Sequence, residues 1–449
     1  MGESMRLNPV IGIARLVGLT LAVIAPAASV FLTYGAAYAS AGTGLVIGFL
    51  IGAVINLLVM FSYAEVGSQY PEAGGDYSLA SRVLGFRIGS IYTSLFAFKG
   101  MVIPAVLSIA TVSYLHALFP QIPVTVASVG VLVFYLVLSV GGLKTSSLAA
   151  TIMVSVEIVM IIAFVFLALL SIHQPLGVLF SHPVMAKGHA VVAATSAGIL
   201  SATVSSIFAF NGSESCLYYS EETRAHPATF GRVIMGTAIT TIIVEMIAII
   251  AATLAIPRLH LNTNATIPLA TIVQHSAMGH VGIVILLAGV TIAMFDTGLA
   301  ATLGYGRIYY AIARDGQWPR PLNTFFLKLN SQGVPYGPYV VLGGINLIVT
   351  VFSNLTNLVI FTGALLLALY LGVVVASLVA RRRGHPPYQM PFWPVLPLLA
   401  VLAILYVLSQ TSATAVLVVM GMIVLGLIWS VFAPGRRGQV VEGQAVSMK

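Results

Sequence analysis

Charged residues are scarce in this chain. Its 449 residues include 20 Lys or Arg and 12 Asp or Glu, together 7% of the sequence, whereas soluble domains carry roughly 25%. Hydrophobic residues make up 59%. A chain this apolar would precipitate from water, so a cytosolic enzyme, a disordered chain and a nucleic-acid-binding module are excluded. The net charge of +8 is better explained by unequal loops of a membrane protein.

Cysteine and catalytic motifs are equally scarce. The single cysteine, Cys216, excludes a disulfide framework and a cysteine metal site. Its position inside an apolar segment also argues against a disulfide-linked partner subunit. The nine histidines do not cluster, and no HExxH, P-loop or GxGxxG-plus-helix pattern occurs. We therefore expect no enzymatic activity, no metal site and no cofactor.

Apolar segments dominate the rest of the chain. A helix needs roughly 20 apolar residues to cross a bilayer. Twelve segments qualify, at about 14–41, 44–67, 88–118, 123–142, 148–172, 195–218, 231–256, 279–309, 336–353, 356–380, 393–410 and 413–433. They are too long and too uniformly apolar for the strands of a membrane barrel. The sequence therefore predicts an all-α membrane protein with 12 transmembrane helices, flanked by terminal segments at 1–13 and 434–449.

The basic residues predict the orientation. With the N-terminus in the cytoplasm, 17 of the 20 Lys and Arg residues fall on the cytoplasmic side; Lys187 and Arg258 fall outside, and Lys99 lies within a span. Cytoplasmic loops are enriched in such residues. We therefore expect a multi-pass protein of the cell (inner) membrane with both termini cytoplasmic. A cleaved signal peptide is the alternative, but the first apolar run is too long for one.

Two predicted helices contain residues that interrupt a helix. Pro26, in the first span, removes a backbone donor and clashes with the preceding turn. Asn211 and Gly212, in the sixth span, are poor helix formers. These breaks begin two five-helix units, 14–172 and 195–380, which face opposite ways, as an inverted repeat requires. Packing without a ligand is the alternative, because kinks and glycine contacts are common in membrane helices.

An interrupted helix can bind a zwitterion. It exposes N–H groups at one half-helix end and C=O groups at the other, which suit a carboxylate and an ammonium group respectively. We therefore predict substrate binding at the first break, by Ile24, Ala25, Pro26, Ala27, Ala28 and Ser29, and at the second break, by Phe210, Asn211, Gly212 and Ser213.

Five charged residues lie well within the predicted spans: Lys99, Glu157, Glu214, Glu245 and Asp296. Each costs roughly 2.5–3.5 kcal/mol to insert and so needs a partner, a water cavity or a proton. Lys99 is predicted to meet an anionic group of the substrate or to pair with a carboxylate. Glu157, Glu214 and Asp296 are candidates for coupling to a proton or ion. A structural ion pair or hydrogen bond is the alternative for each.

Three stretches resemble the amino acid–polyamine–organocation transporter family. Residues 63–77 are similar to its signature at the inner end of helix 2. Residues 210–214 with 221–223 are similar to its helix 6 and the following loop, and residues 307–316 to the end of its helix 8. Residues 381–383 and 391–397 resemble its entry to helix 11. The matches follow the family order along nearly the whole chain.

The resemblance implies two inverted five-helix repeats followed by two extra helices at 393–433. It implies transport by alternating access, with the substrate between the first, third, sixth, eighth and tenth of the predicted spans. Phe208 falls where family members often carry an aromatic gate over the substrate, although apolar packing is the alternative.

Two departures from the family pattern concern the substrate and the coupling ion. At residues 27–31 the chain reads AASVF, so both glycines of the family's Gly-small-Gly break are replaced. An amine without a carboxylate or an unusual organic acid is therefore an alternative substrate. Glu157 stands where proton-coupled relatives have a lysine. A glutamate can cycle a proton or help to bind a cation, so proton coupling, sodium coupling and ion-independent exchange all remain open.

The sequence therefore predicts a secondary active transporter for an amino acid or a closely related amine, either proton-coupled or an exchanger. Its partners would be the small-molecule substrate, a proton or sodium ion, and the lipid bilayer. Transport of a polyamine, a biogenic amine or a small organic acid is an alternative. A membrane sensor that binds such a ligand without moving it is a further alternative, but no signalling domain favours it.

Overall fold

The computed structural model describes residues 9–141, 143–187, 190–257, 269, 272–273, 279–352, 355–411 and 413–432. Most of the predicted N-terminal segment at 1–13 and the whole predicted tail at 434–449 lie outside these residues, as does Arg258.

The first half of the chain forms helices α1 (Ile13–Ile24), α2 (Pro26–Ala41), α3 (Leu45–Gln69), α4 (Gly75–Leu84), α5 (Phe86–Leu118), α6 (Val124–Val140), α7 (Leu143–Leu170) and the short α8 (Gly177–Phe180). An antiparallel hairpin of β1 (Val184–Lys187) and β2 (Ala190–Ala193) follows. Apart from this hairpin, the described elements are helices, which confirms the all-α prediction. Four-residue strands are too short for a period of two to be recognised in the sequence.

The second half forms α9 (Ser196–Ala209), a 3₁₀ helix (Ser213–Glu222), α10 (Pro227–Ala255), α11 (Gly279–Arg314), α12 (Arg320–Phe326), α13 (Tyr336–Phe352), α14 (Leu355–Ala380), α15 (Val395–Ser409) and α16 (Ala413–Phe432). Most ends agree with the predicted apolar segments to within a few residues. The short helices α4 and α12 were not expected, because they are not long apolar runs.

The long apolar helices make the chain a multi-pass membrane protein. Among the described residues, seven helical stretches are long and apolar enough to cross a membrane, and one of them, Ile13–Gln69, contains α1, α2 and α3. The shorter apolar helices found there include α6, α13 and α15. Large apolar side chains such as Phe166 and Leu402 are exposed on the outer surface, where lipid would cover them. The count of twelve crossings stays a prediction.

Small residues let the central helices pack closely. α5 packs along α11, and α3 packs along α10. A Cβ on Gly100 of α5 would lie 2.8 Å from the Tyr309 hydroxyl, and one on Gly298 of α11 would lie 2.3 Å from Tyr135 Cζ. Small residues at such contacts allow helix backbones to approach in a membrane.

Both predicted helix breaks are present. α1 ends at Ile24, Ala25 has a left-handed φ of 47°, and α2 begins at Pro26. Proline suits the first helical turn, where its missing N–H would have no partner within the helix. α9 ends at Ala209, and the 3₁₀ helix begins after Gly212. The predicted sixth span at 195–218 is therefore not one continuous α-helix.

The two breaks touch each other. Gly212 has a φ of 125°, which side chains rarely adopt. A Cβ at this position would lie 3.0 Å from Ile24 Cγ1 and 3.1 Å from the Ile24 Cα and N atoms. The glycine therefore allows the second break to lie directly against the end of α1.

The three family-like stretches also meet in space. Glu221, from the second stretch, forms a two-pronged ion pair with Arg314 of the third, with N–O distances of 2.7 and 2.8 Å. Its Oε1 also accepts a hydrogen bond from the Ala73 N–H of the first stretch at 3.3 Å. The neighbouring Glu222 pairs with the buried Arg307. Residues distant in sequence thus form one charged contact region.

A buried carboxylate lies in the first turn of α4. Asp76 is fully buried. Burial raises the pKa of the Asp76 carboxyl to about 7, and the Lys99 ammonium limits that rise. The protonation of Asp76 should therefore affect the stability of the folded chain near neutral pH.

Replacing Gly212 by alanine should destabilise the contact between the breaks. We expect Gly212→Ala to lower the free energy of unfolding by about 1–3 kcal/mol, because the alanine must adopt a positive φ and its Cβ is forced against the Ile24 backbone. The melting temperature in detergent should fall by several degrees. Gly236→Ala is the matched control, because this exposed helical glycine has open space around its Cβ position. Equal melting temperatures for the two variants would contradict the proposed close contact.

The Asp76→Asn variant should change how stability depends on pH. The folded-state pKa of about 7 exceeds the unfolded value of about 3.9, so the folded chain loses stability as pH rises from about 4 to about 7. The asparagine variant lacks this loss. The difference in melting temperature, variant minus wild type, should become more positive across this window and stay constant above it. A difference independent of pH would show that Asp76 does not titrate there.

Candidate functional site

A cavity lies between the two helix breaks. It is lined by Val23, Ile24, Ala28, Ser29 and Leu32 of the first break region, Ile103 and Leu107 of α5, Phe208 and Asn211 of the second break region, and Thr297, Ala301 and Tyr305 of α11. Five of the predicted substrate-binding residues are therefore at the cavity: Ile24, Ala28, Ser29, Phe208 and Asn211. Its wall is mostly apolar with a few polar groups, as is usual for small-molecule sites.

The α11 residues at the cavity were not predicted. Thr297, Ala301 and Tyr305 are four residues apart and so share one face of the helix. That spacing is visible in the sequence, but the sequence does not indicate which face of α11 points to the breaks.

A glutamate from α7 occupies the first break. Glu157 Oε1 accepts hydrogen bonds from the backbone N–H groups of Ala27 at 2.7 Å and Ala28 at 3.2 Å. These are among the first N–H groups of α2, which have no partner within the helix. At the other side of the break, Ser29 Oγ donates to the Ile24 carbonyl at 2.7 Å. The two N–H groups and the Ile24 carbonyl at this break are thus bonded within the chain.

A second glutamate occupies the second break, together with a lysine. Glu214 Oε2 accepts a hydrogen bond from the Gly212 N–H at 3.1 Å, and Oε1 accepts one from Asn211 Nδ2 at 2.9 Å. Lys99 Nζ of α5 lies 3.6 Å from Glu214 Oε1, and both side chains are almost fully buried. Asn211 Nδ2 also donates to the Tyr370 hydroxyl at 2.6 Å.

Lys99 is engaged with the protein rather than with the cavity. Besides Glu214, its ammonium group lies 5.3 Å from the Phe96 ring centroid and 5.9 Å from that of Tyr305. It is not among the residues lining the cavity. Of the two predicted roles for Lys99, the structure has the carboxylate pair, because a buried ammonium group without a partner is costly.

The remaining predicted binding residues shape the breaks instead of lining the cavity. Ala25 and Pro26 form the turn between α1 and α2, and Ala27 contributes its N–H group to Glu157. Phe210 packs edge-on against Phe49, with ring centroids 5.9 Å apart.

The Phe210 carbonyl accepts a hydrogen bond from Asn56 Nδ2 at 2.7 Å. Gly212 lies against Ile24, and Ser213 is fully buried beside it in the chain. Contacts from α3 and α1 thus help to fix the second break.

Two further carboxylates are buried near Glu157. Asp296 of α11 and Glu245 of α10 are both fully buried, and Glu157 interacts electrostatically with each of them. Within the described part of the chain, their carboxylate oxygens and Glu157 Oε2 have no hydrogen-bond partner. Nor does any described Lys, Arg or His lie within 4.0 Å of these three carboxylates.

Among the residues that the structure describes, no group of three or more His, Cys, Asp or Glu side chains is placed to hold a metal ion.

Comparison with known proteins identifies the family. A profile of the amino acid permease family matches residues 11–433. A branched-chain amino acid permease of Lactococcus lactis is 26% identical over 390 residues, which cover 79% of each chain. A gamma-aminobutyric acid permease of Bacillus subtilis is 23% identical over 372 residues, 79% of this chain and 76% of the relative.

A low-affinity putrescine importer of Escherichia coli is 26% identical over 276 residues, 59% of this chain and 58% of the relative. These relatives are named as transporters, as the sequence predicts for this chain, and not as enzymes. The family profile spans both helix breaks, the cavity and all three family-like stretches. The chain therefore belongs to the amino acid permease family.

Proposed function

We propose that this chain is a secondary active transporter that moves an amino acid or a closely related amine across the cell membrane by alternating access. The main support for this proposal is the cavity that lies between the two touching helix breaks. Transporters with inverted repeats bind their substrates at such interrupted helices. Membership of the amino acid permease family agrees with this site.

The proposed architecture has two inverted repeats, 14–172 and 195–380, followed by two helices at 393–433. Each repeat would begin with one of the two broken helices. The similarity between the breaks supports this division, because a glutamate accepts backbone N–H groups at each of them. We place both termini in the cytoplasm, on the strength of the Lys and Arg distribution.

The substrate class follows from chemistry that the named relatives share. Branched-chain amino acids, gamma-aminobutyric acid and putrescine all carry an ammonium group, whereas putrescine has no carboxylate. A cation is also what the buried carboxylates near the cavity would attract. A small organic acid without an amine is therefore the weaker alternative.

Among the three candidates for coupling, we propose that Asp296 carries the proton or coupling cation. Glu214 is already paired with Lys99, and Glu157 is bonded to two backbone N–H groups. The carboxylate oxygens of Asp296 have no partner among the described residues, although Asp296 directly precedes the cavity residue Thr297. A buried carboxylate in this position needs a proton or a cation. Sodium coupling and exchange without an ion are the alternatives.

Counterflow in proteoliposomes tests the function. The purified protein is first screened for thermal stabilisation by amino acids, amines and small acids, since a ligand stabilises the state that it binds. Vesicles preloaded with the best ligand should then accumulate its labelled form. Binding without counterflow would instead identify a sensor. If the folded protein shows no binding and no counterflow, a transport function for these ligands is contradicted.

Shortening Phe208 should weaken substrate binding. We expect Phe208→Ala to raise the apparent KM roughly tenfold, the equivalent of about 1.4 kcal/mol, because the variant loses an aromatic wall of the cavity. Phe166→Ala is the matched control, because Phe166 is 63% exposed on α7, away from the cavity. Native affinity in Phe208→Ala would rule out a role for this ring in binding or gating.

Neutralising Asp296 should separate coupling from transport. We expect Asp296→Asn to lose accumulation driven by a pH gradient but to retain counterflow, which needs no net ion movement. Asp315→Asn makes the same change just beyond α11, where the carboxylate accepts a hydrogen bond from the Tyr77 hydroxyl, and should keep the pH dependence. If Asp296→Asn responds to the gradient like the wild type, another group carries the coupling ion.

A further inference from the structure

The two helix breaks differ in their charge balance. At the second break, the negative charge of Glu214 is matched by Lys99 at 3.6 Å. At the first break, Glu157 makes the equivalent contact with backbone N–H groups, but no basic side chain of the described chain is within ion-pair distance. Asp296 and Glu245 place two more buried carboxyl groups near Glu157. Among the described residues, the first break therefore has no counterpart of Lys99.

The N–H groups that would bind a substrate carboxylate are already occupied. Glu157 Oε1 accepts from both Ala27 and Ala28, at 2.7 and 3.2 Å. A carboxylate of the substrate would have to displace Glu157 from these donors. A displaced Glu157 would lose these donors, and the nearby Asp296 and Glu245 carboxyls offer it no replacement.

Glu157 lies directly behind the cavity wall. Ala28, whose N–H group it accepts, lines the cavity together with Ser29 and Ile24. Glu157 Oε2 has no hydrogen-bond partner among the described residues, although the side chain is only 1% exposed. The C-terminal end of α1, which carries a partial negative charge, adjoins the same cavity. These features favour a positive group in the cavity near Ala28.

We propose that Glu157 takes the place of a substrate carboxylate, and that the substrate is an aliphatic amine whose ammonium group supplies at the first break the positive charge that Lys99 supplies at the second. The inference rests on the proposed transport function and names the substrate class within it. The apolar walls formed by Val23, Leu32, Ile103 and Leu107 suit the hydrocarbon body of such an amine. Decarboxylation of an amino acid is the class of reaction that supplies it.

The test compares amino acids with the amines that differ from them only by the carboxylate. Leucine is paired with isoamylamine, and lysine with cadaverine. Each compound is tested in proteoliposomes as an inhibitor of counterflow of the labelled ligand that the thermal screen selects. For the wild type, we expect each amine to inhibit at a concentration roughly tenfold or more below that of its amino acid. The protein used is the full chain.

Two substitutions separate the roles of charge and of the occupied N–H groups. Glu157→Ala frees both N–H groups and removes the charge, so the preference should shift roughly tenfold or more towards the amino acid. Glu157→Gln keeps an oxygen that can accept the same N–H groups but removes the charge, so amine affinity should fall without a gain for the amino acid. Glu72→Gln makes the same change in a pair with Arg82 outside the cavity and should keep the wild-type preference.

The outcomes distinguish this inference from the transport proposal. If the wild type transports the amino acid of each pair better than the amine, the transport function stands and the inference about Glu157 fails. If folded protein exchanges no member of either pair or of the wider ligand screen, the transport function itself fails. Should Glu157→Ala not fold, Glu157→Gln decides the matter, and unchanged amine affinity in that variant would overturn the inference.

Discussion

A helix that opens inside a membrane must find partners for the backbone groups it releases, because lipid tails offer none. Both breaks in this chain meet that requirement with a glutamate. Glu157 accepts two N–H groups at the start of α2, and Glu214 accepts the Gly212 N–H at the second break. The cavity between the breaks depends on these contacts, since without them the N–H groups would be unsatisfied or the helices would close.

Satisfying the backbone with glutamates creates a second requirement, which is to balance buried negative charge. At the second break, Lys99 supplies the balancing charge beside Glu214. Near Glu157 it adds Asp296 and Glu245 instead, and neither has a hydrogen-bond partner among the described residues. A substrate ammonium group, a proton or a metal cation can supply the missing charge. The proposed substrate preference and the proposed ion coupling thus depend on the same group of buried carboxyls.

Much of the fold could be predicted because apolar runs and helix-breaking residues act locally. The predicted break at Pro26 is where α2 begins after α1, and Gly212 precedes the start of the 3₁₀ helix. Five predicted binding residues line the cavity. Lys99 does not, because its partner comes from another helix. The short hairpin at β1 and β2 and the change to a 3₁₀ helix after Gly212 leave no comparable signal in the sequence.

The sequence alone determined the class of protein, the positions of the helices and the two points where helices break, since these follow from hydropathy and from proline and glycine chemistry along one segment. The packed helices were needed to show which charges meet. Glu157 and Ala27 are 130 residues apart in the chain, yet they share a hydrogen bond of 2.7 Å. Such contacts depend on how helices pack against one another, and hydropathy carries no information about which face of a helix meets which partner.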